Sequence, residues 1–198
     1  VLGVRFNDRA DTSLNITNST LTINGGGIAV ASGAAGAHVI ASAVSLGANQ
    51  PWTNEATDVF VTLSGQVSGA GNVTKEGNTG AFTLSGNNTF SGTLTINAGR
   101  IRVTHANGLG ATSAGTTVAS GPGLQISGGI TLAAEPLTLS GDGYWGGGAL
   151  ENISGNNTWA GPIKLGAKAR IRTGSGTLTV TGTITNGGYQ AEFARGDT

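Results

Sequence analysis

Residues 85–92 read Ser-Gly-Asn-Asn-Thr-Phe-Ser-Gly, and the same pattern recurs at residues 154–161 as Ser-Gly-Asn-Asn-Thr-Trp-Ala-Gly. An Arg-Ile-Arg triplet follows each copy, at residues 100–102 and 170–172. The interval between the two triplets exceeds the interval between the two octets by a single position, so one residue is inserted between them. A match of this length, continued almost in register, indicates an internal repeat rather than a bias in composition.

The internal repeat covers residues 80–103 and 149–173, and its interval fits three coils of about 23 residues, a period typical of solenoid proteins. Throughout the chain, short stretches alternate apolar side chains with Thr, Asn or Arg, which is the pattern of half-buried strands. These stretches are residues 14–16, 21–23, 59–63, 82–84, 94–96, 101–103, 124–126, 137–139, 178–180 and 183–185. Gly and Asn lie between them and favour tight turns.

The composition argues against helices. Gly supplies 36 of the 198 residues; it costs about 1 kcal/mol relative to Ala inside a helix, and the β-branched Thr is also disfavoured there. Strands this short are unusual in a β-sandwich, where about five or six residues are typical, but they suit a solenoid. We therefore predict an all-β solenoid of roughly eight to nine coils, about 40 Å long at about 4.8 Å per coil.

Charge and cysteine content exclude several classes of partner and chemistry. The ten basic and ten acidic residues cancel, and nucleic acids call for a basic patch, so we expect no nucleic-acid partner. The absence of Cys excludes disulfides, thiol chemistry and cysteine metal sites. No apolar stretch approaches the roughly 20 residues of a membrane helix, so no direct membrane span is predicted.

Residues 77–103 resemble the autotransporter-associated β-strand repeat, which is found in passenger domains of bacterial type V secreted proteins. The residues that carry the resemblance are 80–92 and the Ile-Asn-Ala-Gly of residues 96–99. Residues 148–159 look like another form of the same unit. The resemblance implies a right-handed parallel β-helix, extracellular or on the bacterial cell surface, without a cofactor.

We expect residues 1–198 to form a single β-solenoid. Residues 177–188 look like the start of a further repeat, so the chain is interpreted as a fragment of a longer repeat protein, or as a subunit whose neighbour supplies the next coil. Neither end has the composition of a polar cap, and an uncapped coil exposes strand edges and apolar core. End-to-end stacking with another copy of the chain is therefore one expected interaction.

The residues that carry most enzymatic chemistry are sparse. The acidic residues are spread along the chain and are expected to be exposed in turns, although coils can in principle bring two carboxyl groups within the distance that glycoside hydrolysis needs. His38 and His105 are expected to be polar turn histidines at the start and the end of strands, without the partners of a catalytic base. We predict no enzyme, no catalytic, cofactor-binding or metal site, and no cofactor.

The two arginine pairs are one candidate binding feature. Arg100 and Arg102 flank Ile101, and Arg170 and Arg172 flank the equivalent Ile, so all four guanidinium groups should point outward. Three coils apart, they would form a short basic stripe that binds an anionic glycan or a neighbouring subunit. The alternative is that they protect a flat β-surface and keep it soluble.

Four aromatic residues stand out, in two settings. Tyr144 and Trp145 lie in the Gly-rich stretch 141–148, where an exposed pair can stack on a sugar ring. Phe90 and Trp159 occupy the same position of the internal repeat, which favours a stacked place in the core or in a turn.

The sequence favours a structural protein of the cell surface or the extracellular space. In this hypothesis a β-solenoid extends from the cell and is able to assemble end to end into a filament. The alternative is an adhesin module that binds glycans or the proteins of host or matrix surfaces. Adhesion predicts saturable glycan binding, whereas assembly predicts a mass that grows with concentration.

Overall fold

The computed structural model describes residues 1–7, 15–17 and 19–196. In this part of the chain the backbone winds through stacked coils, and each strand pairs in parallel with the strands one coil earlier and one coil later. The strands fall on three faces of the coil. The first face contains β1 (Gly3–Phe6), β4 (Gly27–Val30), β7 (Gln50–Asn54), β10 (Val73–Gly77), β12 (Leu94–Ile96), β14 (Thr116–Val118), β17 (Leu137–Gly141), the beginning of β20 (Ile163–Thr173) and β22 (Ile184–Thr185).

The second face is built in the same way and carries the candidate site. It contains β2 (Asn15–Ile16), β5 (Ala37–Ile40), β8 (Phe60–Leu63), β11 (Ala81–Leu84), β13 (Arg100–Val103), β15 (Gly123–Ser127), β18 (Leu150–Ser154), the end of β20 and β23 (Ala191–Arg195). The long strand β20 runs from the first face onto the second and so joins the two sheets.

In the described part of the chain, strands cover the third face only near its two ends. These strands are β3 (Leu21–Ile23), β6 (Val44–Leu46) and β9 (Val67–Gly69), and later β16 (Thr131–Leu132), β19 (Asn156–Trp159) and β21 (Thr177–Val180). Between them, turns continue the stack through backbone bonds, such as the one that the Ala111 N–H donates to the Phe90 oxygen at 2.8 Å.

The predicted fold class is confirmed. The nine strands of the first face define eight coils, about 38 Å of solenoid at about 4.8 Å each. Each of the ten predicted strand stretches overlaps a strand, and Leu14, which begins the first of them, lies outside the described residues. The described residues contain one short 3₁₀ turn, Tyr144–Gly146, and no helix long and apolar enough to cross a membrane.

Most coils on the first face lie close to the predicted period of about 23 residues, as in the pairing of Gln50 with Val73. The coil that separates Leu137 from its partner Ile163 is longer than the others on this face. The added length forms the loop of residues 141–148, which contains the predicted aromatic pair. This insertion is what places an aromatic loop against the second face.

The interior is a set of apolar ladders along the solenoid axis. On the second face, one ladder runs through successive buried residues: Val61, Phe82, Ile101, Leu124, Leu150 and Ile171. Phe90 and Trp159 are also buried, so of the two places predicted for them, core or turn, both side chains are in the core. A single coil cannot bury this strip, so the neighbouring coils stabilise one another.

Buried asparagines replace strand pairing where the third face has few strands. The Val67 N–H donates to Asn88 Oδ1 at 2.8 Å, and Asn88 Nδ2 donates to the Gly108 oxygen at 2.7 Å, so one side chain links three successive coils. Asn157, at the equivalent repeat position, accepts the Ile130 N–H at 2.7 Å. Buried backbone groups need such partners, since leaving one unpaired costs about 1–3 kcal/mol.

Two expectations about polar residues are wrong. His38 is buried in β5, with its ring stacked on Phe6 at 4.5 Å between centroids, because the alternation of β5 directs it inward. Glu135 is not an exposed turn residue: it is buried, and Thr116 Oγ1 donates to its Oε1 at 3.0 Å. Burial raises the pKa of Glu135 to about 7, which favours its neutral form in the interior.

Candidate lateral binding site

The strand register aligns the two arginine pairs in two columns on the outer side of the second face. Ile101 pairs with Leu124, the next residue on this ladder is Leu150, and Leu150 pairs with Ile171. The two triplets therefore lie three coils apart on one surface. We call this surface, with the loop above it, the lateral site; its predicted members are Arg100, Arg102, Tyr144, Trp145, Arg170 and Arg172.

The loop of residues 141–148 brings the aromatic pair onto the arginines. The Tyr144 ring lies over the guanidinium of Arg100, 4.3 Å from its carbon, and the ring of Phe60 lies 5.4 Å from the same carbon. The Trp145 ring stacks on Tyr144 with 5.1 Å between centroids and 13° between planes. The features that the sequence offered as two separate hypotheses thus form a single site.

Polar side chains connect the column of Arg102 and Arg172 across four coils. Arg102 Nη2 donates to Gln125 Oε1 at 3.3 Å, and Gln125 Nε2 donates to Glu151 Oε2 at 2.8 Å. The other oxygen of Glu151 accepts a bond from Arg172 Nη1 at 2.8 Å. Burial lowers the pKa of Arg102, and the positive charge of Arg100 adds to the effect.

The column of Arg100 and Arg170 is paired with acidic side chains. Arg100 Nη2 lies 3.2 Å from Asp58 Oδ1. Arg170 Nε donates to Glu192 Oε1 at 2.8 Å, and Lys168 Nζ lies 3.2 Å from the second oxygen of Glu192. These bonds lower the pKa of Glu192, those from Arg170 most. Lys168 also reaches Asp142 in the loop, at 4.0 Å.

The charges of the lateral site are therefore nearly balanced. Five basic side chains meet four acidic ones: Arg100, Arg102, Lys168, Arg170 and Arg172 against Asp58, Asp142, Glu151 and Glu192. Each of the four guanidinium groups has a hydrogen-bond partner on a side chain. The arginines lie outward as predicted, but they are paired with carboxylate and amide groups rather than forming a bare basic stripe.

The loop is closed by its own backbone. Gly143 and Gly148 form a parallel bridge, the Gly148 N–H donates to the Asp142 oxygen at 2.9 Å, and the Gly147 N–H donates to the Tyr144 oxygen at 2.9 Å. Arg170 Nη1 donates to the Gly146 oxygen at 2.9 Å and so fastens the loop to the second face. Trp145 adopts a left-handed conformation, with φ 48° and ψ 34°, and its side chain is 83% exposed.

The sequence identifies the arginines and the aromatic pair of the lateral site but not the side chains that pair with them. Nothing in the sequence distinguishes Asp58, Lys168 and Glu192 from other surface charges, or Gln125 and Glu151 from other strand residues. One signal for Gln125 is available, since the sequence interval between Arg102 and Gln125 equals the expected length of a coil. The others depend on the actual register and on the inserted loop.

The described residues offer little support for a metal or acid–base centre. Among them, no group of three or more His, Asp or Glu side chains is arranged to hold a metal ion. The carboxylates of the lateral site are paired with basic side chains, which is the arrangement of a structural network. The prediction that the chain is not an enzyme stays a prediction.

The fold defines the class of architecture: a parallel β-solenoid built from repeated coils. Residues 73–103 match the family model described as Passenger-associated-transport-repeat, which overlaps the stretch whose resemblance the sequence indicated. The chain is also similar to the Adhesin BmaC autotransporter of Brucella suis biovar 1 (strain 1330), with 31% identity over 127 residues. That region is 64% of this chain and 4% of the relative. No solved structure matches the chain significantly. The predicted resemblance to passenger repeats is confirmed.

Proposed function

We propose that this chain is a structural, non-enzymatic section of a passenger that is displayed on the bacterial surface or secreted, and that it serves adhesion. The observation that carries the proposal is the passenger-type repeat at residues 73–103, which lies within the stacked coils β10 to β13. Similarity to a protein named as an adhesin supports the adhesive role.

The architecture suits this role physically. A solenoid advances about 4.8 Å per coil, so its length grows with coil number while its width stays constant. Stability is distributed over nearest-neighbour contacts between coils, and the apolar ladders and Asn88 supply such contacts. The outer sides of the strands remain available to bind other surfaces.

Surface display tests the proposal. The chain is fused between a secretion signal and the membrane anchor of an autotransporter, in a bacterium that lacks its own adhesins. We expect extracellular protease to reach the chain and the cells to bind epithelial monolayers or matrix-coated plates. The matched control is a passenger in which the order of the coils is kept but residues 141–148 are shortened to a plain turn. A chain that stays inside the cell, or displayed cells that bind no better than cells with an empty anchor, would refute the proposal.

A second candidate role is end-to-end assembly. The last described coil exposes Phe193, an inward-facing residue of β23, to 67%, and Ile184 of β22 is also exposed. Unpaired strand edges with apolar side chains are templates for another strand. We propose that a second copy of the chain stacks on this coil.

Mass measurement tests the assembly. Light scattering over a concentration series should show masses that increase in steps of one chain, and electron microscopy should show rods with a constant width. The variant Phe193→Asp should remain monomeric, whereas Tyr189→Ala, also exposed on the last coil, should still assemble. A wild-type chain that is monomeric at all concentrations would refute assembly and leave the surface role intact.

A further inference from the structure

We propose that Trp145 is the platform of a binding site for a neutral, β-linked oligosaccharide, a proposal that rests on the adhesive role above. The sequence suggests that this loop stacks on sugars but identifies no partners for it. The geometry of the lateral site shows which ring stacks on the indole, how the loop is held and why a neutral sugar fits better than an anionic one.

Trp145 differs sharply from the other two tryptophans. Trp52 and Trp159 are 1% and 0% exposed and lie in the core, whereas Trp145 is 83% exposed. Large apolar side chains are normally driven out of water. The chain nevertheless presents this ring in a left-handed conformation that non-glycine residues rarely adopt. Strained conformations persist where the surroundings enforce them, and they concentrate at sites that bind ligands.

The surroundings support the ring from one side. Tyr144 stacks against the indole with 5.1 Å between centroids, and Tyr144 itself rests on Arg100. Arg170 holds the loop through the Gly146 oxygen, and Glu192 holds Arg170 in turn. A platform ordered before binding loses little conformational entropy when the ligand arrives. The free face of the indole is thus preorganised for stacking.

A pyranose ring matches this platform. When its substituents are equatorial, as in β-linked glucose or N-acetylglucosamine, the axial C–H groups form a flat apolar face of about the size of an indole. Asp142 belongs to the same loop as Trp145, and Lys168 Nζ lies 4.0 Å from its carboxylate; about half of each side chain is exposed, and Glu192 lies 3.2 Å from Lys168. These exposed groups are the donors and acceptors nearest to the loop in sequence and pairing that sugar hydroxyls could use.

Two features favour a neutral sugar over other partners. The guanidinium groups are already bonded to Asp58, Glu151, Glu192 and Gln125, so an anionic glycan would have to displace these partners. A protein partner is favoured by a contiguous buried patch with an apolar centre, of about 800 Å² on each side. One exposed indole with a charged rim is far smaller than that.

The distribution of tryptophans makes the test direct. Acrylamide, a neutral quencher, can reach Trp145 but not the buried Trp52 and Trp159. We expect cellohexaose or chitohexaose to protect the fluorescence of Trp145 from quenching. The protection should saturate, with a Kd on the order of 0.1 mM. The full chain is used, and heparin hexasaccharide serves as the anionic comparison.

Substitutions test which residues carry the binding of the oligosaccharide. In calorimetry, Trp145→Ala should weaken binding of the neutral oligosaccharide at least about tenfold, while Tyr189→Ala, an aromatic that is 47% exposed on the last coil, should leave it unchanged. Arg170→Gln should weaken binding less, because it loosens the loop without removing the platform. Circular dichroism checks that each variant keeps the fold.

Four results would overturn the proposal, three of them with the purified chain. The first is no protection by either oligosaccharide at concentrations up to about 10 mM. The second is neutral binding that survives in Trp145→Ala. The third is heparin binding that is tighter than neutral binding, which would assign the arginines as the ligand site. If displayed cells carrying Trp145→Ala still adhere, the glycan platform fails while the adhesive passenger role stands.

Discussion

Lys75 is a lysine inside the solenoid, and its charge should reduce stability at neutral pH. It faces inward from β10, is 0% exposed, and lies between Trp52 on the previous coil and Ile96 on the next. Nζ donates to the backbone oxygens of Glu76 at 2.6 Å and Ala98 at 3.2 Å. Burial lowers the pKa of Lys75 from 10.5 to about 8, against the opposing effect of nearby carboxylates.

The perturbation is a change of pH from about 7 to about 10. The pKa of Lys75 is about 8 when folded and 10.5 when unfolded, so between these values the unfolded chain binds more protons. Stability must then rise with pH in this window, and it is lost again as the pH falls through the folded pKa. This difference in pKa corresponds to about 3 kcal/mol, of which roughly 2 kcal/mol is recovered by about pH 10.

Urea unfolding, followed by far-ultraviolet circular dichroism, measures the effect. The free energy of unfolding of the wild type should be higher by about 2 kcal/mol at about pH 10 than at about pH 7. The variant Lys75→Met removes the titrating group and should lose this gain. Lys164→Met is the matched control, because Lys164 is exposed on β20, and it should behave as the wild type does. An equal gain in Lys75→Met would refute the reasoning, since the pH dependence would then come from another group.

Two further predictions concern buried polar groups. Glu135 has a raised pKa of about 7, so its contribution to stability is fully present below pH 4.5 and is lost as the pH rises through 7. Glu135→Gln should remove up to about 3 kcal/mol of that decline, measured by urea unfolding at several pH values. An unchanged decline would contradict the assignment. Asn88→Ala should destabilise the fold by about 2–4 kcal/mol, because it leaves the Val67 N–H and the Gly108 oxygen without their partner. The exposed Asn87→Ala should cost less than about 1 kcal/mol in thermal unfolding, and equal losses for the two asparagines would argue against the bridge between coils.

The sequence was sufficient to predict strands joined by tight turns and the approximate length of a coil. Alternation of apolar and polar residues is a local property of a strand, and Gly and Asn mark turns locally, so strands such as Leu94–Ile96 could be assigned without knowing their neighbours. The repeat distance indicated the coil length, because stacking forces equivalent residues to recur after whole coils. The same repeat gave Phe90 and Trp159 equivalent positions, in the core or in a turn, and the structure has both in the core.

The lateral site could be predicted only in part. That Arg100 and Arg170 share a surface follows from the interval between the two triplets, but the interval says nothing about their partners. Glu192 reaches Arg170 from the following coil, and Tyr144 reaches Arg100 from the inserted loop. A fixed period predicts neither pairing, because the number of residues between paired positions varies along the solenoid. This number is much smaller between β11 and β13 than between β16 and β19.

Local alternation and a regular period specify coils without long-range information, so a solenoid of roughly eight to nine coils follows from the sequence. The passenger-type repeat follows from the resemblance of residues 77–103 to known repeats. What each polar residue does depends on the tertiary structure. Lys75, His38 and Glu135 are interior because their strands or turns place them there, and their polarity suggested the opposite. Trp145 is exposed because an inserted loop is tied by Arg170, a contact that depends on the register between coils. Burial and partners are properties of the stack, and a residue type does not specify them.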